Sequence, residues 1–445
     1  MAGVFDNIHP GLTCAEAYKI LLAESGDLDS QSDFYMAVSH LINFPGTETE
    51  SALLRFLERP SSETSIRHAQ RKAIEVVARL DSHQAIATIG TFLDSDDIYM
   101  VENAAWALAK LNCQDHNLHM KVISLLDDLT QNTRILIQAL AKLSVVNAVP
   151  SLLKLRDDPR PSVQGAAIAA LVQLNGQAAD LGTLGKHLYL SNQMDRQSAV
   201  QDIIDSQAVE LLPEVMQAPI SPAFKMRAFR CLLDLDNPLL YQPNWISMID
   251  RVLLDQSSNI VVLHRYEDKL APEFLIQSLF HPDFSMCYLA MQSLQELNPE
   301  TLWPLLRIKW ESGAHNDYGA HYFFIQLFGQ IKGWSEPALQ FISDVLNEAI
   351  VDTRPQFRKS SPIAILSFAR QFPALLSDLL TSLTSGQAKR SWQMRYATLL
   401  SIDMYCSPDI QIQYRQYVED SAGSDSDAFV RAKATDLLEK MIANG

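Results

Sequence analysis

A chain of 445 residues that is 47% hydrophobic and 20% charged holds more apolar material than one compact core can use, since single cores stop growing near roughly 250–300 residues. A net charge of −16 excludes the usual nucleic-acid binder, which leaves a basic footprint to neutralise phosphates. Cys14, Cys113, Cys231, Cys287 and Cys406 are scattered, odd in number and never in a CxxC pair, which excludes a disulfide framework and ordinary zinc spacing and fits a reducing cytoplasm.

The opening MAGVFDNIHPGL has no basic region followed by an apolar one, so it does not read as a signal peptide. No apolar run is long enough for a membrane span. Helices expected around 13–24, 30–43 and 47–57 make residues 1–60 an N-terminal helical capping region, which covers the apolar end of a repeat array. The short basic clusters Arg67–Arg71–Lys72 and Lys389–Arg390 read as solvated helix faces.

Residues 61–176 repeat. The segments IRHAQRKAIEVVARL (66–80), MVENAAWALAKL (100–111), TRILIQALAKL (133–143) and SVQGAAIAALVQL (162–174) align without gaps. Their closing leucines, Leu80, Leu111, Leu143 and Leu174, fall 31, 32 and 31 residues apart, the period of an α-solenoid with two helices per unit. Three residues before each leucine stand Val77, Leu108, Leu140 and Leu171. Six before stand Ile74, Ala105, Ile137 and Ile168, and seven before stand Ala73, Ala104, Leu136 and Ala167. That is one helical stripe of small and aliphatic residues, suited to close packing. The partner helices, 85–94, 117–128 and 148–158, end in Asp-rich turns, and DDPRPSV puts proline at a helix start, where its missing N–H costs nothing.

Residues 177–445 continue as more divergent helical repeats, with inner helices expected at 224–234, 284–297, 319–332, 392–404 and 428–442. The irregular stretches 175–185 and 254–273 are the best breaks in one continuous array. The fold class is all-α: an α/α solenoid of HEAT-like repeats with a concave groove.

Residues off the apolar stripe should line that groove. Glu75, Trp106 and Gln138 lie five before the closing leucines, Lys72 and Asn103 eight before, and Arg71, Glu102 and Arg134 nine before. This mixture suits a flat apolar ligand with charged arms. It also has plain readings: Trp106 as core filler, Glu102 as decoration of a first helical turn, Arg134 as a bridge to Asp127 or Asp128. A second cluster, GAHNDYGAHYFF (313–324), gathers His315, Asp317, Tyr318, His321 and Tyr322. With a helix starting near Asn316, Asp317 and His321 share a face, as do Tyr318 and His321. An Asp, a Tyr and a His on one spot can accept, donate and relay protons near neutral pH, and Gly319 lets a flat ligand approach the backbone. The plain reading is that Asn316 or Asp317 caps the helix and the tyrosines pack. GxSxG, HExxH, P-loop and dinucleotide signatures are absent from the sequence.

The strings IRHAQRKAIEVVARL, DDIYMVENAAWALAKLNCQD, LLDDLTQNTRILIQALAKL and RDDPRPSVQGAAIAALVQLNG resemble the E/F-type phycobilin lyases, and within them the long single-chain type that serves phycoerythrin. IYMVENAAWAL is the most specific piece, and the close match covers about a quarter of the chain, from 66 to 176. The resemblance implies a HEAT-like solenoid that binds an open-chain tetrapyrrole. It would deliver phycoerythrobilin to a cysteine of a phycobiliprotein, here the α subunit of phycoerythrin, forming a thioether. Some members isomerise the bilin to phycourobilin during attachment. It implies no metal, nucleotide or resident cofactor, the bilin being substrate, and a cytoplasmic location in a cyanobacterial cell. Glu102, Asn103 and Trp106 lie inside the matching motif. On this reading Arg71, Lys72 or Arg134 pairs the propionates, Trp106 stacks on a pyrrole ring, Gln138 and His315 add bilin contacts, and Asp317, Tyr318 and His321 are catalytic. The attacking thiol belongs to the acceptor protein. A bilin carrier or chaperone, or a HEAT scaffold joining two proteins, are the competing readings.

Overall fold

A computed structural model describes residues 9, 11–60, 63–176, 180–237, 242, 244–268, 270–385 and 390–443. Of the segments read above, Lys389 and most of the first ten residues lie outside it. Every regular element among the described residues is helical, and no single helix there is long and apolar enough to cross a membrane. The chain divides into two units, Met1–Leu181 and Gly182–Gly445.

The first unit holds α1 (Cys14–Leu22), α2 (Asp33–Leu41), α3 (Thr47–Leu57), α4 (Thr64–Arg79), α5 (Ile86–Thr91), α6 (Ile98–Lys110), α7 (His116–Ser124), α8 (Thr133–Lys142), α9 (Val149–Leu155) and α10 (Pro161–Asn175). The even-numbered helices pack in succession, α2 on α4, α4 on α6, α6 on α8 and α8 on α10. The odd-numbered α3, α5, α7 and α9 pack against α4, α6, α8 and α10 in turn, giving the two layers of an α-solenoid. The stripe read from the sequence is the interior: Ala73, Ala104, Ala167, Ile74, Ile137, Val77, Leu108 and Leu140 are all buried.

The repeat period is set by how each helix stops. Asp81, Asn112, Ser144 and Gly176 follow the helix ends with φ of 60°, 49°, 56° and 71°. At the first three, the next residue's N–H reaches back five residues: Ser82 to the Val77 carbonyl, Cys113 to Leu108, Val145 to Leu140. This left-handed stop satisfies carbonyls that a helix end orphans. Cys113 therefore has a structural post, buried beside the turn. The acidic turns cap the following helix: Asp97 Oδ1 accepts from the Tyr99 N–H at 3.0 Å, and Asp115 Oδ1 from the Asn117 N–H at 2.8 Å, meeting donors a helix start leaves free.

The second unit holds α11 (Leu181–His187), α12 (Gln193–Asp205), α13 (Leu212–Gln217), α14 (Pro222–Leu232), α15 (Asn244–Leu254), α16 (Pro272–Ser278), α17 (Phe284–Gln295), α18 (Pro299–Ser312), α19 (Ala320–Gln330), α20 (Glu336–Val351), α21 (Ser360–Gln371), α22 (Leu376–Thr384), α23 (Trp392–Tyr405), α24 (Pro408–Gln413), α25 (Arg415–Ser424) and α26 (Ala428–Ala443). Here α17, α19, α21, α23 and α26 pack in succession.

This array is closed rather than open along its whole length. Helix α15 packs on α14 and also touches α21 and α26. Arg230 on α14 pairs with Asp427 at 2.9 Å. Lys433 on α26, wholly buried, lies 2.8 Å from Asp250 on α15 and 2.6 Å from Asp403 on α23. The Tyr396 hydroxyl donates to Asp250 Oδ1 at 2.8 Å. Part of the face that the sequence suggests as groove is thus covered, and what stays open is a set of cavities beside α21 and α23.

Candidate functional site

In the first unit, α2, α4 and α6 border a cavity of about 550 Å³ lined by Tyr35, His68, Arg71, Lys72, Glu75 and Asn103. The repeat spacing therefore does bring Arg71, Lys72 and Asn103 to one surface. Tyr35 and His68 join them unannounced: Tyr35 lies outside the aligned repeats, and His68, near the start of the first aligned segment, is not among the positions counted back from the closing leucines.

The cations of this surface are already engaged. Arg71 Nε donates to Asp97 Oδ2 at 3.2 Å, and its guanidinium stacks 4.7 Å from the Tyr99 ring centroid. Burial raises the Asp97 pKa, but the Arg71 hydrogen bond and charge outweigh it and hold the carboxyl below its usual range. Lys72 Nζ lies 2.8 Å from Glu75 Oε2, and Arg79 Nε 2.7 Å from Glu75 Oε1. Arg134 Nη1 donates to the Ser162 carbonyl at 2.7 Å.

Trp106 is half-buried, packed on the core, with Arg79 5.9 Å from its ring centroid. It therefore fills core space and keeps an exposed part. Glu102 Oε2 accepts from Asn132 Nδ2 at 3.0 Å, and Asn103 Nδ2 donates to the Tyr99 carbonyl at 2.6 Å. Gln138 is half-buried on α8, one turn after Arg134 and so on the same side.

The 313–324 cluster in the second unit is arranged differently from its sequence reading. A short turn of 3-10 helix spans Ala314–Asn316, and α19 starts only at Ala320. Asp317 therefore precedes the helix, and its Oδ1 accepts from the Gly319 and Ala320 N–H groups at 2.9 and 2.7 Å. It is the cap. His321 is 3% exposed. Its ring lies 5.2 Å from Trp310 and 4.4 Å from Phe357, and its Nδ1 is 2.8 Å from the Ser360 hydroxyl. Burial drives its pKa down to about 4, so at neutral pH it is an uncharged core group. His315 Nδ1 sits 2.9 Å from the Trp310 carbonyl. Tyr318 is 60% exposed. Carboxylate, phenol and imidazole thus do not converge: each meets a different neighbour because the helix begins later than residue 316.

Tyr318 instead belongs to a pocket of about 270 Å³ that it lines with Tyr322, Lys359, Arg358, Met226 and Gln393. Arg358 and Gln393 also line a larger cleft of about 1120 Å³, whose walls include Phe368, Arg390, Trp392 and Met394. At about 1120 Å³ the cleft is somewhat larger than the usual small-ligand site of roughly 300–1,000 Å³. Beneath the small pocket lies a buried polar core. Asp255 Oδ1 is 3.2 Å from Lys225 Nζ, and its Oδ2 accepts from the Tyr288 and Tyr322 hydroxyls at 2.6 and 2.9 Å. Burial, then the Asp255 charge, holds both phenols protonated well above their usual range. Burial also lowers the Lys225 pKa, against the pull of Asp255. The pocket floor is therefore fixed, with its hydrogen-bond donors already committed. Among the described residues no three of His, Cys, Asp or Glu are grouped as a metal site needs.

Sequence reasoning missed Arg358, Lys359 and Trp392 and read Arg390 only as part of a solvated basic face. The signals were the basic dipeptides at 358–359 and 389–390, which by themselves read as surface charge.

The chain is 40% identical to the bilin biosynthesis protein CpeY of Synechococcus sp. (strain WH8020), over 91% of this chain and 97% of that one. The chain belongs to the E/F-type phycobilin lyase family. Membership sets it among enzymes rather than plain repeat scaffolds. It is also 29% identical to an uncharacterized phycocyanin operon protein Y of Pseudanabaena tenuis (strain PCC 7409), over 88% of this chain and 92% of that one. Among solved structures it is similar to the complex of CpcE and CpcF of phycocyanin lyase from Nostoc sp. PCC7120, with a TM-score of 0.46, 23% identity, and coverage of 55% of this chain and 96% of that one. It is similar to importin beta with a TM-score of 0.37 and 14% identity, over 97% of this chain and 62% of that one. No family model matches the chain.

The lyase's own thiols are unactivated where they are buried. Burial pushes Cys287 up to about 12 and Cys406 up to about 11, and it also raises Cys113.

Proposed function

We propose that this chain is a bilin lyase that attaches phycoerythrobilin, through a thioether, to a cysteine of a phycoerythrin α subunit in the cyanobacterial cytoplasm. The observation that carries this reading is its identity over nearly the whole length of a protein named for bilin biosynthesis. The geometry of the second unit supports it. A cleft of about 1120 Å³ with Trp392, Arg358 and Arg390 in its walls suits a planar π-system with anionic arms.

The reaction is an addition. The acceptor sulfur bonds to the exocyclic carbon of the bilin ethylidene group, the carbon–carbon double bond opens, and the thiol proton ends on the ring carbon. Nothing is oxidised or reduced. The chain's part is to hold the two reactants together and to manage that proton. Tyr318, exposed and lining the pocket, would serve as the phenol for proton transfer. Isomerisation to phycourobilin would move one double bond by taking a proton from one carbon and returning one to another, again without redox change. His321, neutral and enclosed, orders the pocket wall through Ser360. Asp317 sets the start of α19, and His315 the turn before it.

On the first unit, Trp106, Asn103, Gln138 and Glu102 keep polar and aromatic surface to offer a bilin. Arg71 and Arg134 would contribute only by releasing Asp97 and the Ser162 carbonyl.

The test is coexpression with a bilin-producing pathway and a tagged phycoerythrin α subunit, then absorbance and bilin fluorescence of the denatured subunit. Covalent colour that depends on this chain is the expected result, and a blue-shifted product adds isomerisation. A colourless subunit beside a working pathway would overturn the reading for that acceptor.

A further inference from the structure

The second unit treats its buried cations consistently, with one exception. Arg196, Lys225 and Lys433 are all fully buried, and each meets a carboxylate: Asp283, Asp255, and Asp250 with Asp403. Lys359 does not. Its Nζ is shut off from water and has no hydrogen-bond partner. What surrounds it are rings: Tyr318 with its centroid 3.8 Å away, Tyr322 at 5.7 Å and Phe284 at 5.8 Å.

Removing an ammonium group from water without a counter-ion is costly. Ring faces recover a part of that cost. Burial leaves the Lys359 pKa near 8, and the charge of Asp317 works in the opposite direction without bonding to it. Lys359 belongs to the wall of the 270 Å³ pocket, its amine covered by the exposed Tyr318 ring, which must swing aside for a ligand to reach it. The other walls are largely apolar: Met226, Pro355, Pro362 and Ile363. An unmatched cation, a flat aromatic side and a dry remainder describe a site whose missing element is an anion attached to a flat apolar body.

We propose that the pocket is a binding site for a carboxylate-bearing ring, with the carboxylate paired to Lys359. Given the lyase reading, on which the ligand's identity rests, that group is one propionate-bearing pyrrole of the open-chain tetrapyrrole. The pocket is too small for the whole molecule. It borders the larger cleft at Arg358 and Gln393, which line both, and the remaining rings would lie there. This assignment differs from the one drawn from the sequence, where the propionates fell to Arg71, Lys72 or Arg134, because those side chains already have partners inside the protein.

The test uses the full purified chain and two probes, biliverdin and its dimethyl ester, followed by tryptophan quenching and bilin absorbance. The unaltered chain should prefer the free acid by roughly ten- to hundredfold, the worth of one charge-assisted hydrogen bond. Lys359→Met keeps the side-chain length without the charge. It should cut the acid-to-ester preference by roughly tenfold or more and leave ester affinity unchanged, the second propionate keeping what the cleft arginines give it, while Lys359→Arg keeps the preference. Thermal melting of Lys359→Met should match the unaltered chain, since an unpaired charge is what is lost. If both probes bind and the acid-to-ester ratio survives Lys359→Met, the Lys359 assignment falls and the lyase reading stands. If neither probe binds the unaltered chain, both fall.

Discussion

Gly329 of α19 faces Ser367 of α21 so closely that a β-carbon built at the glycine would lie 2.1 Å from the serine Oγ and 2.7 Å from its Cα. The Ser367 hydroxyl donates to the Ile325 carbonyl across the same contact. Gly329→Ala must therefore force the two helices apart. It should lower stability by about 1–3 kcal/mol, the usual cost of overpacking, measured by urea denaturation. Ser367→Gly in the same chain should recover only part of the loss, because a backbone atom remains in the way. An alanine variant as stable as the parent would show that the contact relaxes freely.

The enclosure of His321 makes stability depend on pH. Its pKa is about 4 in the folded chain and near the ordinary 6.5 when unfolded. As pH falls below 6.5 the unfolded chain takes up this proton first, so stability is full above that value and declines toward pH 4. Linkage puts the loss at about 2 kcal/mol between pH 8 and pH 5 from this group alone. Urea titrations at the two pH values check it. His321→Gln should flatten that part of the profile, and an unchanged slope in the variant would assign the effect elsewhere.

Asp317 separates capping from chemistry. Asp317→Ala removes the acceptor for the Gly319 and Ala320 N–H groups and should cost about 1 kcal/mol. Asp317→Asn keeps an acceptor oxygen and should melt close to the parent. A stable Asp317→Asn chain that no longer attaches bilin would return the carboxylate to the reaction.

The cysteines should label unequally. Cys231 is exposed, whereas Cys287 and Cys113 are buried, and burial holds the Cys287 thiol up near 12. Thiolate is the reactive form. A maleimide at pH 7 should modify Cys231 first and leave Cys287 and Cys113 unmodified until the chain is unfolded, as read by peptide mass. Rapid native labelling of Cys287 would contradict its enclosure.

Lys433 joins Asp250 and Asp403 with no exposure of its own. Burial raises the Asp250 pKa even beside this lysine, so the pair is finely balanced. Lys433→Met would leave Asp250 without its cation, beside the Tyr396 hydroxyl, while Asp403 keeps Lys440 at 2.8 Å, and should cost about 3 kcal/mol in denaturation at pH 7. A loss under 1 kcal/mol would mean that water or rearrangement replaces the lysine.

The repeat interior was legible because its stripe has a helical period: every Ala, Ile and Leu counted back from Leu80 and Leu111 has a fixed address. Helix α21 was not. Ser360 through Ala369 are all buried, so no polar face marks a period, and one-sided amphipathicity is the signal a sequence offers. The 313–324 cluster was half legible. Its residue types were right for a helix start, but the spacing argument assumed a start at Asn316. The shift to Ala320 turned Asp317 into a cap and Tyr318 outward. Lys359 and Trp392 were illegible as a site, because only folding brings α14, α19, α21 and α23 around one pocket.

The ion pairs that join α14 and α15 to α23 and α26 also change what kind of object the second unit is. A linear stack can shed its last repeat and leave the others nearly intact. A stack whose α14 and α15 are fastened to α23 and α26 behaves as a clasped loop: opening the clasp loosens every layer between. Arg230, 4.5 Å from the Trp392 ring centroid, is part of the fastening and backs the aromatic wall of the cleft. The cleft wall is accordingly a mould set before any guest arrives; apart from the Tyr318 ring over Lys359, the guest adapts to the protein, and the ordering cost of binding falls mainly on the guest's own rotatable bonds.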